Sequence, residues 1–385
     1  MGSRLEYLVK STKHLDHKVV CAIGYSKKKF TPLWANLGLF LQCFDDLFLL
    51  NCEESEGKLT GVCEPPKGVE TRVVPGLKGV AYLDPDLPFF HEKTTYMSDI
   101  IKLLAGLGHE LKAAPYDFRK SPTLWKDTLF VEIKAQIEEF NREGIKPNLV
   151  AHSFGGAVVS RLLYWLRDTE GKAYLDERIG KVVFLAPVLA GSPLAYGAIA
   201  TGAFIAKHVA IPHTQSYNVM RGNIGLASLR PDPQVFGDAC YIHFTKNDDC
   251  LTTSNAPEIM RKHKRPEYGR MFEFLNEEYP FLPHPQIDPL PHRRIHVWYG
   301  DKVQTPLRFK ISKDDRAPEP ANKWNFERFV DGDNCLPAMG VRYFGNQWCS
   351  NYGYEECDVK AFNGVDHNNM VHDKAVMKEL HRVFT

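Results

Sequence analysis

Short apolar runs alternate with stretches of helical periodicity along much of the chain. Residues 147–151 read as a strand and 157–167 as the helix after it, while 181–186 and 294–299 are further apolar strands. A short run at 328–330 and another at 359–362 continue the series, and a helix over about 374–383 follows the last. Upstream, 97–107 and 124–140 carry apolar residues at three- and four-residue spacing, the mark of helices with one buried face. Strand, helix, strand in this order predicts an α/β protein with a mainly parallel sheet, because parallel neighbours need a crossover that a helix supplies. Two regions break the rhythm. We expect one α/β domain over 1–385, carrying a lid insertion at 21–65 and a cap insertion at 192–290.

The length of 385 residues is ample for a buried core, and 48 Lys and Arg against 47 Asp and Glu leave a formal charge of +1. With no basic run, the electrostatic footprint of a nucleic-acid binder is missing, and that class is set aside. No uncharged apolar run reaches the ~18 residues a membrane-spanning helix requires. The nine cysteines contain no C-x-x-C pair, so no zinc spacing is present. Their odd number excludes complete pairing. Cys52 with Cys63 and Cys21 with Cys43 are possible local bridges. No glycosylation sequon occurs, and the first residues show no charged-then-apolar leader pattern.

Chemistry concentrates at Leu149-Val150-Ala151-His152-Ser153-Phe154-Gly155-Gly156, a strand running into a small-x-Ser-x-Gly-Gly turn and then a helix. A nucleophile elbow strains the serine backbone and needs small neighbours two positions away, which Ala151 and Gly155 supply. The Ser153 hydroxyl would then stand at a helix N-terminus, with the Phe154 N–H facing a developing oxyanion. The plainer reading makes Ser153 a helix cap. A serine needs a base and an orienting acid, in chain order Ser, acid, His, each just past a later strand. His367 follows the last strand and is the expected base; His372 reads as a solvated helix residue. Asp333 and Asp301 both follow strands, and position alone does not choose between them.

With these residues in place, the chain resembles the lecithin:cholesterol acyltransferase family. Gly2-Ser3-Arg4-Leu5-Glu6 is similar to the second half of its P-G-x-x-G-S-x-L-E. Phe30 through Asp46 is similar to its lid segment, and Val69 to Pro75 with Tyr82-Leu83-Asp84 to the stretch after it. Ala114-Pro115-Tyr116-Asp117-Phe118-Arg119 resembles A-P-Y-D-W-R, Asp331-Gly332-Asp333 the acid motif D-G-D-G-T-V, and Asp366-His367-Asn368-Asn369-Met370 the histidine motif. The resemblance thins over about 200–290. It implies an α/β-hydrolase fold and selects Asp333 as the acid, although Asn334-Cys335 stands where Gly-Thr is usual. It pairs Cys21 with Cys43 and, with Val297 at the usual cysteine position, leaves Cys349 without that partner.

The resemblance implies two-step acyl transfer by Ser153, His367 and Asp333 from a phospholipid to water or a lipid alcohol, with no cofactor or metal. The implied partner is a phospholipid membrane or lipid-particle surface. Trp34, Leu37, Leu39 and Phe40, with Phe204 and Ile205, are expected to line an acyl groove or touch the bilayer. Asp117 and Arg119 divide between a buried ion pair and head-group contact. The implied compartment is a secretory or lysosomal-type lumen. Competing readings are a soluble carboxylesterase for smaller esters and a catalytically impaired lipid-binding relative. The last gains weight because Met1 falls inside the family's first motif; we expect an apolar strand ending in Pro-Gly, with a second oxyanion N–H, to be encoded ahead of it.

Overall fold

The structure is a computed structural model that describes residues 3–11, 13, 29–33, 47–83, 95–201, 220, 222–263, 265–311, 325–350 and 353–385. Strand β1 (Leu5–Val9) pairs antiparallel with β2 (Thr31–Pro32) on one side and β5 (Val69–Val73) on the other. Between them in sequence, β3 (Asn51–Ser55) and β4 (Lys58–Glu64) form a hairpin. Its two-residue loop, Glu56-Gly57, has φ of 51° and 78°, the positive pair that matches the twist of adjoining strands.

The central sheet consists of β6 (Leu149–His152), β7 (Val182–Leu185), β10 (Arg294–Asp301) and β13 (Glu356–Asn363), in the order β13-β10-β7-β6 with every pair parallel. All four residues of β7 are buried, as expected for a strand covered on both faces. Successive side chains alternate between faces, and so between two cores. Val182 and Phe184 join Ile295 and Val297 in the larger one. There they meet α3 (Phe154–Glu170), α4 (Lys172–Arg178) and α5 (Ala338–Cys349), for example at Leu163, Leu175, Phe344 and Trp348. Val183 and Leu185 join Trp298 and Phe362 in the smaller one, against α1 (Ser98–Gly106) and α6 (Lys374–Phe384). The α/β architecture anticipated from the alternating pattern is therefore present. No described helix is long and apolar enough to cross a membrane.

A second sheet takes the order β12-β11-β8-β9, from β8 (Ile242–Phe244), β9 (Asp249–Leu251), β11 (Val303–Ile311) and β12 (Asn325–Gly332). The chain passes from β10 into β11 across a single residue, Lys302, at φ +62°. The short strand expected at 328–330 is the middle of β12 and lies in this sheet, antiparallel to β11. The expected helix over 124–140 divides at Thr128 into a 3-10 segment, Pro122–Asp127, and α2 (Leu129–Arg142). Among the described residues three disulfides close local segments: Cys52–Cys63, Cys240–Cys250 and Cys349–Cys357. As expected, Cys349 has no partner at position 297; it is bridged instead to Cys357 on β13. Val297 is instead core, packed toward Gly345 on α5. Cys335 belongs to none of these three bridges, and Cys21 and Cys43 lie outside the described residues.

Candidate active site

Strand β6 ends at His152 and α3 begins at Phe154, so Ser153 alone makes the turn, at φ 57° and ψ −124°. Such a conformation costs an L residue about 1–3 kcal/mol and persists only where surrounding bonds over-determine it. Here the Ser153 N–H donates to Leu185 O at 3.0 Å, and its carbonyl accepts from the N–H groups of Gly156 (2.9 Å) and Val188 (3.0 Å). The small residue the turn needs most is Gly156, not Gly155. A Cβ at Gly156 would lie 2.3 Å from Pro187 Cβ, whereas one at Gly155 would meet Ala151 Cβ at an ordinary 3.8 Å. Gly156→Ala is therefore expected to lower stability by about 1–3 kcal/mol in denaturant melts, the usual overpacking cost, with Gly155→Ala close to neutral.

His367 sits in the loop after β13, and Asp333 immediately follows β12. The imidazole Nε2 lies 2.7 Å from Ser153 Oγ and Nδ1 2.7 Å from Asp333 Oδ2. The other carboxylate oxygen, Oδ1, accepts from the N–H groups of Cys335 at 3.0 Å and Leu336 at 2.6 Å. All three side chains are buried. Two backbone features let these loops meet. Asn334 takes φ +74°, a region asparagine enters more readily than most residues, which accommodates the departure from glycine at that position. At Gly300 a Cβ would fall 2.1 Å from Val365 O and 2.8 Å from Asp333 Cβ, so both loops bed on the bare backbone of β10.

The other residues singled out in the sequence separate clearly. Asp301 turns away from His367 to Arg342 Nη2 at 3.1 Å and the Lys302 N–H at 2.9 Å. His372 is not a solvated helix residue: its Nδ1 meets Asp99 Oδ2 on α1 at 2.9 Å. Arg119 is fully buried, paired with Asp117 at 2.6 Å and donating to Phe48 O and Thr71 Oγ1 at 3.0 Å each. That makes the pair a structural tie between the 117–119 loop and β5. Burial raises the Asp117 pKa, but the guanidinium prevails and holds the carboxyl below its ordinary value. The Phe154 ring is buried against Trp125 and Tyr116, while its N–H belongs to the first turn of α3, where intrahelical acceptors are lacking. Trp34, Leu37, Leu39, Phe40, Phe204 and Ile205 lie outside the described residues.

Sequence reasoning missed Tyr96 and assigned no role to His152, which bond to one another at 2.8 Å beside the Ser153, His367 and Asp333 side chains. A groove of about 460 Å³, lined by Ile100, Leu104, Ile133, Ile137 and Phe140, reaches the site at these two residues. Residues 149–152 of β6 line it and Ser153 is not among its lining residues, so the groove is not assigned to the reacting ester. A serine hydroxyl held on an imidazole, itself held on a carboxylate, is equipped for nucleophilic acyl transfer.

The family model for lecithin:cholesterol acyltransferase matches residues 29–232. The lysosomal phospholipase A and acyltransferase of Homo sapiens is 28% identical over 409 residues, covering 100% of this chain and 88% of that protein. That of Bos taurus is 28% identical over 212 residues, 52% of this chain and 48% of the relative. A chain of the Tle4–Tli4 complex crystal structure is 13% identical, covering 70% of this chain and 67% of that one, at a TM-score of 0.46.

Proposed function

Because the chain belongs to the lecithin:cholesterol acyltransferase family, we propose that it transfers acyl groups from phospholipid esters through an acyl-enzyme on Ser153. The observation that carries this reading is the pair of 2.7 Å contacts from His367 to Ser153 Oγ and Asp333 Oδ2. His367 Nε2 takes the hydroxyl proton as Ser153 Oγ bonds to the ester carbonyl carbon, and Asp333 stabilises the resulting imidazolium. The Phe154 N–H stabilises the oxyanion. Collapse breaks the ester C–O bond, and the proton passes to the departing lysophospholipid hydroxyl. Water or a lipid alcohol then gives its proton to His367 as it attacks the acyl carbonyl, and collapse breaks the acyl–Oγ bond while that proton returns to Ser153. Trp34, Leu37 and Phe40 are proposed to line the acyl path. The three disulfides favour an oxidising compartment.

The test is incubation of the protein with acyl-labelled phosphatidylcholine vesicles, with and without a sterol or short-chain alcohol, alongside a fluorophosphonate reagent. Labelled fatty acid is expected without alcohol, a labelled ester with it, and fluorophosphonate on Ser153. Free fatty acid as the sole product in every arm rejects the transferase half of the proposal. Hydrolysis of short soluble esters with no attack on the vesicles selects the carboxylesterase reading.

A further inference from the structure

We infer that His152 is a positioning residue that sets the distance between Ser153 and His367; the inference rests on the acyl-enzyme reading above. His152 precedes the nucleophile in the chain and is itself buried. Its Nε2 lies 3.0 Å from the carbonyl oxygen of His367 and its Nδ1 2.8 Å from Tyr96 Oη. A carbonyl can only accept, so Nε2 carries the proton, and in a neutral ring Nδ1 then accepts from the tyrosine hydroxyl. Both ends of the ring are thereby fixed. The His367 N–H donates to Asp333 O at 2.8 Å, so the main chain of the base is held on one side by the acid and on the other by the residue adjoining the nucleophile.

The surroundings keep this arrangement in its working protonation state. Burial, with the His367 ring next to it at 4.9 Å between centroids, holds His152 well below the usual imidazole value. Burial also pushes the Tyr96 phenol up, which keeps its proton available for donation. Neither side chain has reach to the Ser153 hydroxyl in the hydrogen bonds they make, so their influence passes through the backbone of His367. A shift of the base by about 1 Å is enough to cost roughly 100-fold in rate.

The rate of Ser153 labelling by a fluorophosphonate reagent, with kcat and KM on phosphatidylcholine vesicles, tests this in wild type, His152→Phe, His152→Gln and Tyr96→Phe. The expected result for His152→Phe is a kcat and labelling rate lower by about 10- to 100-fold with little change in KM. His152→Gln, whose amide still donates, should recover most of that loss. Tyr96→Phe, which keeps the bond to the carbonyl but frees the ring to turn, should fall between and serves also where His152→Phe does not fold. Wild-type rates in His152→Phe or Tyr96→Phe overturn the inference, as do equal losses in the Phe and Gln variants or a loss confined to KM. A wild-type protein that takes no label overturns the Ser153 reading itself.

Discussion

Ser153→Ala is expected to abolish both phospholipid hydrolysis and acyl transfer, lowering kcat by roughly 10,000- to 1,000,000-fold, with circular dichroism and melting behaviour close to wild type. In the proposed reaction this hydroxyl forms the acyl bond, and no other hydroxyl is hydrogen-bonded to His367 Nε2 among the described residues. Ser153→Gly sharpens the test. Glycine enters φ +57° without the cost a side chain imposes, so this variant should lose activity to the same degree while gaining stability of about 1 kcal/mol. Activity loss with a stability gain is the outcome a strained nucleophile turn demands. Persistent turnover in either variant, measured on labelled vesicles, would sink the assignment of Ser153.

Asp333→Asn should cost roughly 10,000-fold in kcat, because it inverts the tautomer of the base. Asp333 Oδ1 accepts two backbone N–H groups, from Cys335 and Leu336. In the amide, the carbonyl is the only group able to take those bonds, so the NH₂ is left facing His367 Nδ1. That nitrogen must then accept, the proton moves to Nε2, and the imidazole can no longer take one from Ser153. Asp301→Asn is the matched control: Asp301 serves Arg342 and the Lys302 N–H, and its replacement should leave kcat within a few fold. Equal activity of the two variants would refute the choice of acid.

The central strands were legible because residues such as Val182–Leu185 are buried on both faces, which demands an unbroken apolar run. The strand-to-helix turn at Ser153 was legible for a related reason: close approach of strand and helix needs small residues, although Gly156 bears that demand more than Gly155. Choosing the acid was harder. Asp301 ends β10 and Asp333 follows β12, and both lie beside Gly300, so side-chain orientation separates them; the family resemblance pointed to Asp333 where spacing did not. Strand β11 was missed because Pro306 and its mixed polar and apolar residues imitate a loop. Cys349–Cys357 joins a helix to a strand in three dimensions, and nothing in the eight-residue interval announces it. Tyr96 meets His152 across fifty-six positions, with no local pattern to mark the pair.

Ser153 and His367 follow strands of the central sheet, but Asp333 follows β12, the edge of a sheet whose other members are β11, β8 and β9. That sheet is built jointly by residues 242–251, 303–311 and 325–332, with Phe309 in register with Ile242. Residues 242–251 and Asp333 are therefore coupled through one sheet. A chimera that imports 242–251 alone sets foreign side chains against β11 and displaces the ledge on which Asp333 stands. One that also imports 303–332, with its first junction at Lys302 where the chain changes sheets, carries the acid and its supporting strands together. Substitutions along the strand register of this sheet are therefore expected to disturb Asp333 more than substitutions in its loops.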